Sequence, residues 1–244
     1  MIYLVSRNKR LFSSEYYTQV SFKEAMTVLE PLVLVQLDTE TEGLDCHTKK
    51  LLTIQLGNKE NQVVFDWTTL SSSEKRALKE YLESERIFLG WNLSFDLTFL
   101  YVQKIYPKHI IDGMIVEKVI FLGFPPILNT DLYDGQFGYQ QVLDEKGQLK
   151  YWEISYSLKA AAQRWCNIDI DKTVRGKIID QGLTEEVVVY AAGDVMWIED
   201  IYKEQCKELD KQNLRKAAEF ECESVKPVAY TKYCGIHLNP ERWD

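Results

Sequence analysis

Asp38 and Glu40 close an apolar run, LVLVQLDTETEGLD, and as an i, i+2 pair on an extended strand they point to one face. Asn92 and Asp96 straddle the start of an otherwise apolar helical stretch, WNLSFDLTFL. Tyr190 and Asp194 lie four apart in VVVYAAGDVMW, one helical turn along a common face. Singly, each acid has an ordinary explanation as a strand-end turn former, a first-turn helix charge or a surface residue. Jointly they ask for another. Asp96 sits between Phe95 and Leu97, and Asp194 sits among Val187, Val188, Val189, Val195, Met196 and Trp197. No Lys or Arg lies between Glu40 and Thr48, between Ile87 and Gln103, or between Ile178 and Tyr202. Carboxylates beside apolar faces, without cationic neighbours in sequence, either stay neutral through raised pKa values or bind hard cations through oxygen. If they bind cations, a pair of Mg²⁺ or Mn²⁺ ions about 3.5–4 Å apart is the clamp that serves in-line displacement at phosphorus.

The elements that must position these residues are legible from capping and periodicity. Ser21 with Glu24, and Ser71 with Glu74, have the spacing of capping boxes and predict two helix starts, the first helix being closed by Pro31. LVLVQLD, LLTIQLG and NQVVFDW predict three strands in a meander. RIFLGWN then predicts a buried strand and SFDLTFLYVQK a helix, so the chain moves into strand–helix alternation. The expected fold class is α/β or α+β, a mixed sheet flanked by helices. YQQVLDEKGQLKYWEI predicts two strands joined at DEKG, within a hairpin insertion over about 129–156. SLKAAAQRWC is helical in pattern. Thr184, with Glu185 and Glu186 in the first turn, predicts one long helix through about Gln212, and a further helix runs from about Leu214 to Tyr233 and ends at Gly235.

Composition narrows the partners. The 244 residues and 45% hydrophobic content are enough for a sizeable core in one large domain. A formal charge of -8 gives no global attraction for nucleic acid or anionic membrane, so a phosphate partner requires a local patch or bound cations. The five cysteines form no C-x-x-C pair and the three histidines fall outside metal-ligand spacing, which predicts reduced thiols and no structural zinc. The N-terminus MIYLVSRNKR lacks the apolar core of a signal peptide, and IIDGMIVEKVIFLGF is interrupted by Asp112, Glu117 and Lys118. The expectation is a cytoplasmic protein of a bacterial or phage-infected cell, with no membrane partner.

DTETEGL, NLSFD and YAAGD, in that order, resemble the three exonuclease motifs of the DEDD superfamily of 3′→5′ exonucleases. Tyr190, four residues before Asp194, resembles the tyrosine subtype; the histidine of the other subtype would stand at position 189, which is Val. IIDGMIVEKVI and YSLKAAAQRWCNIDIDK are similar to flanking segments of the proofreading domain of family A (polymerase I-type) DNA polymerases, so that the resemblance covers about residues 20–215. It implies a ribonuclease H-like sheet. It also implies an exonuclease domain over 1–212 and a helical connector over 213–244, leading toward a polymerase domain in the same native chain.

The same resemblance implies roles. Asp38 would bridge two Mg²⁺ or Mn²⁺ ions, Glu40 and Asp194 would complete the site of one, Asp96 would hold the other through water, and Tyr190 would orient the attacking water. Leu44 matches a leucine that wedges against the terminal base. Thr41 and Asn92 match positions near the 3′-terminal nucleotide, and Phe95 occupies a position that is often aromatic. In DIDKTVRGK, Arg175 with Lys172 and Lys177 is the candidate phosphate-contacting loop. The implied substrate is a single-stranded or frayed DNA 3′ end, trimmed to nucleoside 5′-monophosphates in proofreading. Two alternatives stay open: an RNA 3′-trimming enzyme resembling ribonuclease D, and a non-catalytic polymerase scaffold or DNA-binding domain.

Overall fold

A computed structural model of the chain describes residues 1–9, 11, 14–123, 139–170, 178 and 182–236. Its centre is a seven-stranded mixed sheet built from β1 (Ile2–Val5), β2 (Tyr17–Gln19), β3 (Leu34–Thr41), β4 (Leu51–Gly57), β5 (Gln62–Asp66), β6 (Ile87–Gly90) and β7 (His109–Asp112), in the order β2-β1-β5-β4-β3-β6-β7. The expected meander is present: β3 pairs antiparallel with β4, and β4 antiparallel with β5. β6 adds parallel to β3, and β7 parallel to β6. The sequence predicts neither the short β2 nor β7, which runs directly into the helix that follows it.

Helices cover both faces, and the strands divide their side chains with period two. Val35, Leu37, Val63, Phe65 and Phe88 pack with α1 (Phe22–Leu29), α2 (Ser72–Leu82) and α3 (Leu93–Val102). The alternate residues Leu4 and Val64 meet α6 (Glu185–Asp194) on the other face. On that same face, Leu89 meets α5 (Leu158–Cys166) and α7 (Ile198–Gln212). Both predicted capping boxes are formed, with Ser21 and Ser71 each accepting from the backbone of the Glu three residues on. The hairpin is also present, as β8 (Tyr139–Leu143) and β9 (Leu149–Ile154) in a sheet of their own. The first part of the expected insertion, up to residue 138, lies outside the described residues.

The long helix expected from Thr184 to Gln212 is instead two. α6 stops at Asp194, Val195 and Met196 form a turn on Gly193, and α7 restarts after Trp197. The β-branched run Val187–Val189 and Gly193 give this stretch weak helical propensity. At the restart, the buried Gln36 side chain on β3 accepts the Glu199 N–H at 3.0 Å. The sheet thereby fixes where α7 begins and leaves Asp194 at a helix end.

Behind the sheet edge, Glu117 of α4 (Gly113–Ile120) is fully buried and carries three partners. It pairs with Arg164 of α5, accepts the Trp165 indole N–H at 2.7 Å, and accepts the Gln205 amide of α7 at 2.7 Å. This cluster ties three helices to one charge. Replacing Arg164 with Met leaves Glu117 buried without its cation, and is expected to destabilise the fold by roughly 3–5 kcal/mol in urea unfolding. Lys203→Met, at the exposed Lys203–Glu199 pair, should cost under about 1 kcal/mol in the same measurement.

Candidate active site

β3 delivers the first acids. Asp38 and Glu40 face the side of the sheet covered by α6, while the intervening Thr39 is buried toward α3. A register irregularity between Glu40 and Thr41 marks the end of the β3–β4 ladder, the kind of local disruption that re-aims side chains beside functional sites. Asp194, at the last turn of α6, brings its carboxylate to the same place: oxygens of Asp38, Glu40 and Asp194 lie within 4.8 Å of one another. Tyr190, one turn earlier on α6, hydrogen-bonds Asp194, and burial followed by the charge of Asp194 pushes its hydroxyl pKa far up, with Glu40 and Asp38 adding to the shift. The phenol is therefore neutral and a donor at any physiological pH.

The fourth acid arrives from the opposite layer. Asp96, only 3% exposed, accepts the Thr39 hydroxyl at 2.6 Å, so the same strand contacts the acids of both helical layers. Two local features set the start of α3. Gly90 ends β6 where an added Cβ would stand 2.7 Å from the Leu37 carbonyl and 2.3 Å from Leu93. Asn92 takes the left-handed conformation with φ 62°, which Asn tolerates better than most residues. Asp112, at the end of β7, then accepts both the Asn92 and the Leu93 N–H, at 2.9 and 2.8 Å, and also caps α4 through the Met114 N–H at 3.0 Å. Sequence reasoning did not single out Asp112 as a positioning group. Its only signal was an acid beside a glycine in an apolar stretch.

Asp38, Glu40, Asp96 and Asp194 line a cleft of about 470 Å³, together with Thr41, Leu44, Asn92, Phe95, Trp91, Tyr156, Ser157, Lys159 and Ile178. Leu44 is 84% exposed, a solvent-facing leucine at the cleft and no part of the core. Thr41 is buried and its hydroxyl donates to the Gly43 carbonyl at 2.7 Å, which makes its visible contact a turn. Phe95 packs on Phe99 with ring centroids 5.1 Å apart. Arg175, Lys172 and Lys177 lie outside the described residues.

The donor set suits a hard divalent cation. Three carboxylates from a strand and a helix converge, and an octahedral ion with bonds of about 2.1 Å spaces its ligands up to roughly 4.2 Å apart, so small side-chain rotations close the set.

A sequence model of the 3′-5′ exonuclease family matches residues 15–210. The chain belongs to this family. All the acids above, with Tyr190, lie inside the matched residues. DNA polymerase I of Aquifex aeolicus is 31% identical over 142 residues, a stretch that covers 58% of this chain and 23% of that polymerase, so the match spans under a quarter of its relative. Among solved structures, Brucella melitensis NrnC with bound Mg²⁺ superposes with a TM-score of 0.64 at 16% identity, covering 96% of this chain and 93% of that one. Escherichia coli RNase D, an exoribonuclease, superposes at 0.65 with 18% identity, covering 96% of this chain and 51% of that one. The exonuclease-family chain thus has the ribonuclease H-like fold that its motifs implied. Among the described residues, no helix is long and apolar enough to cross a membrane.

Burial raises the Asp96 carboxyl from its ordinary 3.8 to about 7, against the opposing pull of the Thr39 hydroxyl. Asp112 is raised too, chiefly by burial. A carboxyl whose folded-state pKa is raised binds more protons folded than unfolded, so its stabilising contribution is complete below the unfolded value and is lost as pH rises through the folded one. In EDTA, the melting temperature of the protein should therefore fall as pH is raised from about 5 to about 7.5. Asp96→Asn should flatten that decline, and a melting curve that steepens in the variant would contradict the assignment.

Proposed function

We propose that this protein is a metal-dependent 3′→5′ exonuclease that removes nucleoside 5′-monophosphates from a DNA 3′ end, in support of a family A DNA polymerase. The observation that carries the reading is the convergence of Asp38, Glu40 and Asp194 oxygens within 4.8 Å, with Tyr190 against them and Asp96 joined through Thr39. The match to a polymerase I favours DNA, and polymerase and exonuclease would then lie in one native chain.

In this reading Asp38, Glu40 and Asp194 would hold one Mg²⁺ or Mn²⁺, and Asp38 with Asp96 a second. Bound there, divalent cations supply a lowered pKa for an attacking water and neutralise charge building on the phosphodiester. Tyr190, whose hydroxyl pKa is raised by burial and by the neighbouring acids, would orient that water by hydrogen bonding rather than act as a base. Leu44, exposed on the rim, separates the terminal base from its neighbour, and Phe95 and Asn92 border the nucleotide to be released. Ile178 and Leu158 also line the cleft and would limit the access of bulk water to the acids.

A 3′-mismatched primer should shorten in steps with Mg²⁺ and stay intact in EDTA. Asp38→Ala should abolish the ladder. Tyr190→Phe should lower kcat by roughly 10²-fold through a misplaced nucleophile, while leaving Mn²⁺ affinity, read by calorimetry, close to the parent value. Equal or faster digestion of an RNA of the same sequence would replace the proofreading reading with RNA 3′ trimming.

A further inference from the structure

The carboxylate cleft does not end at Leu44. A second groove of about 300 Å³ shares Leu44, Asn92 and Phe95 with it and runs on to His47, Ser94 and Lys232. Lys232 brings to this groove the helix α8 (Arg215–Cys234), which lies beyond the residues matched by the family. Two of its contacts lie at the groove. The His47 ring, on the loop between β3 and β4, stacks on Tyr233 with centroids 5.6 Å apart and meets the Tyr233 carbonyl at 2.8 Å. The Lys232 ammonium donates to the Ser94 hydroxyl at 3.0 Å, over the first turn of α3.

Lys232 is the one Lys or Arg among the described residues that line this groove. Asp45, the acid among its lining residues, already accepts the His47 backbone N–H at 3.0 Å and the Thr48 hydroxyl at 2.7 Å. In a chain of net charge -8, a cation held by a neutral hydroxyl beside the reaction cleft stands where a strand leaving that cleft needs one. We propose that the groove takes the penultimate nucleotide and that Lys232 holds the phosphate on its 5′ side, one phosphate upstream of the bond cut. The inference rests on the exonuclease reading and makes α8 part of the substrate site.

The test compares a dithymidylate, which has only the scissile phosphate, with a trithymidylate, both lacking a 5′-phosphate, and their uridylate counterparts. Lys232→Met should raise KM for the trinucleotide about five- to tenfold and leave the dinucleotide unchanged, with kcat unaltered in both. Lys232→Arg should restore most of the loss. Lys226→Met, on the same helix with its amine on the Lys108 carbonyl, should change neither substrate. On a longer single strand, the slope of log(1/KM) against log salt should become shallower by about 0.7 in Lys232→Met. A methylphosphonate at the upstream position should weaken the parent enzyme and have no added effect in the variant. Equal losses on both lengths, or none on either, would overturn the proposal while the nuclease reading stands. Absence of cleavage of every probe with Mg²⁺ or Mn²⁺ would instead overturn the nuclease reading itself.

Discussion

Asp38, Glu40 and Asp194 gather their oxygens within 4.8 Å, a placement that electrostatics opposes. Two like charges about 4 Å apart repel by roughly 4 kcal/mol at an effective dielectric of about 20. The arrangement persists because none of the three can retreat independently. Asp38 and Glu40 belong to a strand paired on both edges, and Asp194 ends a helix packed by Val188 and Ala192 on the sheet. The surrounding structure is therefore a frame that holds like groups together, an arrangement that suits a bound cation.

Among the described residues, the buried acids away from the helix end at Asp194 differ in who satisfies them. Asp66 accepts the Ser6 hydroxyl at 2.6 Å and the Thr68 hydroxyl at 2.6 Å, Asp112 accepts three backbone N–H groups, and Glu117 has an arginine, an indole and an amide. Each is satisfied by protein donors and works as a joint between elements. Asp96 is different in place: it lines the cleft beside Asp38 and Glu40, and burial holds its carboxyl well above the ordinary range even with a hydroxyl donated to it. Its environment disfavours charge in a way that a cation would reverse. One such joint also serves Asp96. Asp112 fixes the first turn of α3, and Asp96 hangs from that turn.

What the sequence made legible follows from how local each signal is. Capping boxes at Ser21 and Ser71, the strand meander and the hairpin around Asp144–Gln148 depend on neighbours in the chain, and all are present. The acids at positions 38, 40, 96 and 194 were legible because chemistry restricts their types and spacing. The interruption after Asp194 was legible only as the weak propensity of Val187–Val189 and Gly193, since its place depends on Gln36 reaching the Glu199 N–H from another element. β7 was hidden: four residues, His109–Asp112, run directly into a helix, and only the pairing with β6 identifies them as a strand. The turn at Asn92 was visible as an Asn but not as a left-handed residue whose amide Asp112 captures.

The helix α8 shows how far the site's geometry depends on distant chain. Val225 and Ala229 are buried in the same core as Leu93, Leu97 and Leu100 of α3, and the Tyr101 ring lies against Tyr230 and Tyr233. Close packing transmits displacement, because a core without voids cannot absorb a shift on one side alone. A movement of α8 would press on α3, and α3 is the ten-residue helix that carries Asp96 at its fourth position. The acid from the far layer is thus held from two ends, by Asp112 at the start of its helix and by α8 along its flank. Of the four carboxylates, Asp96 is the one whose placement answers to packing beyond the sheet, whereas Asp38 and Glu40 are fixed by the strand ladder itself.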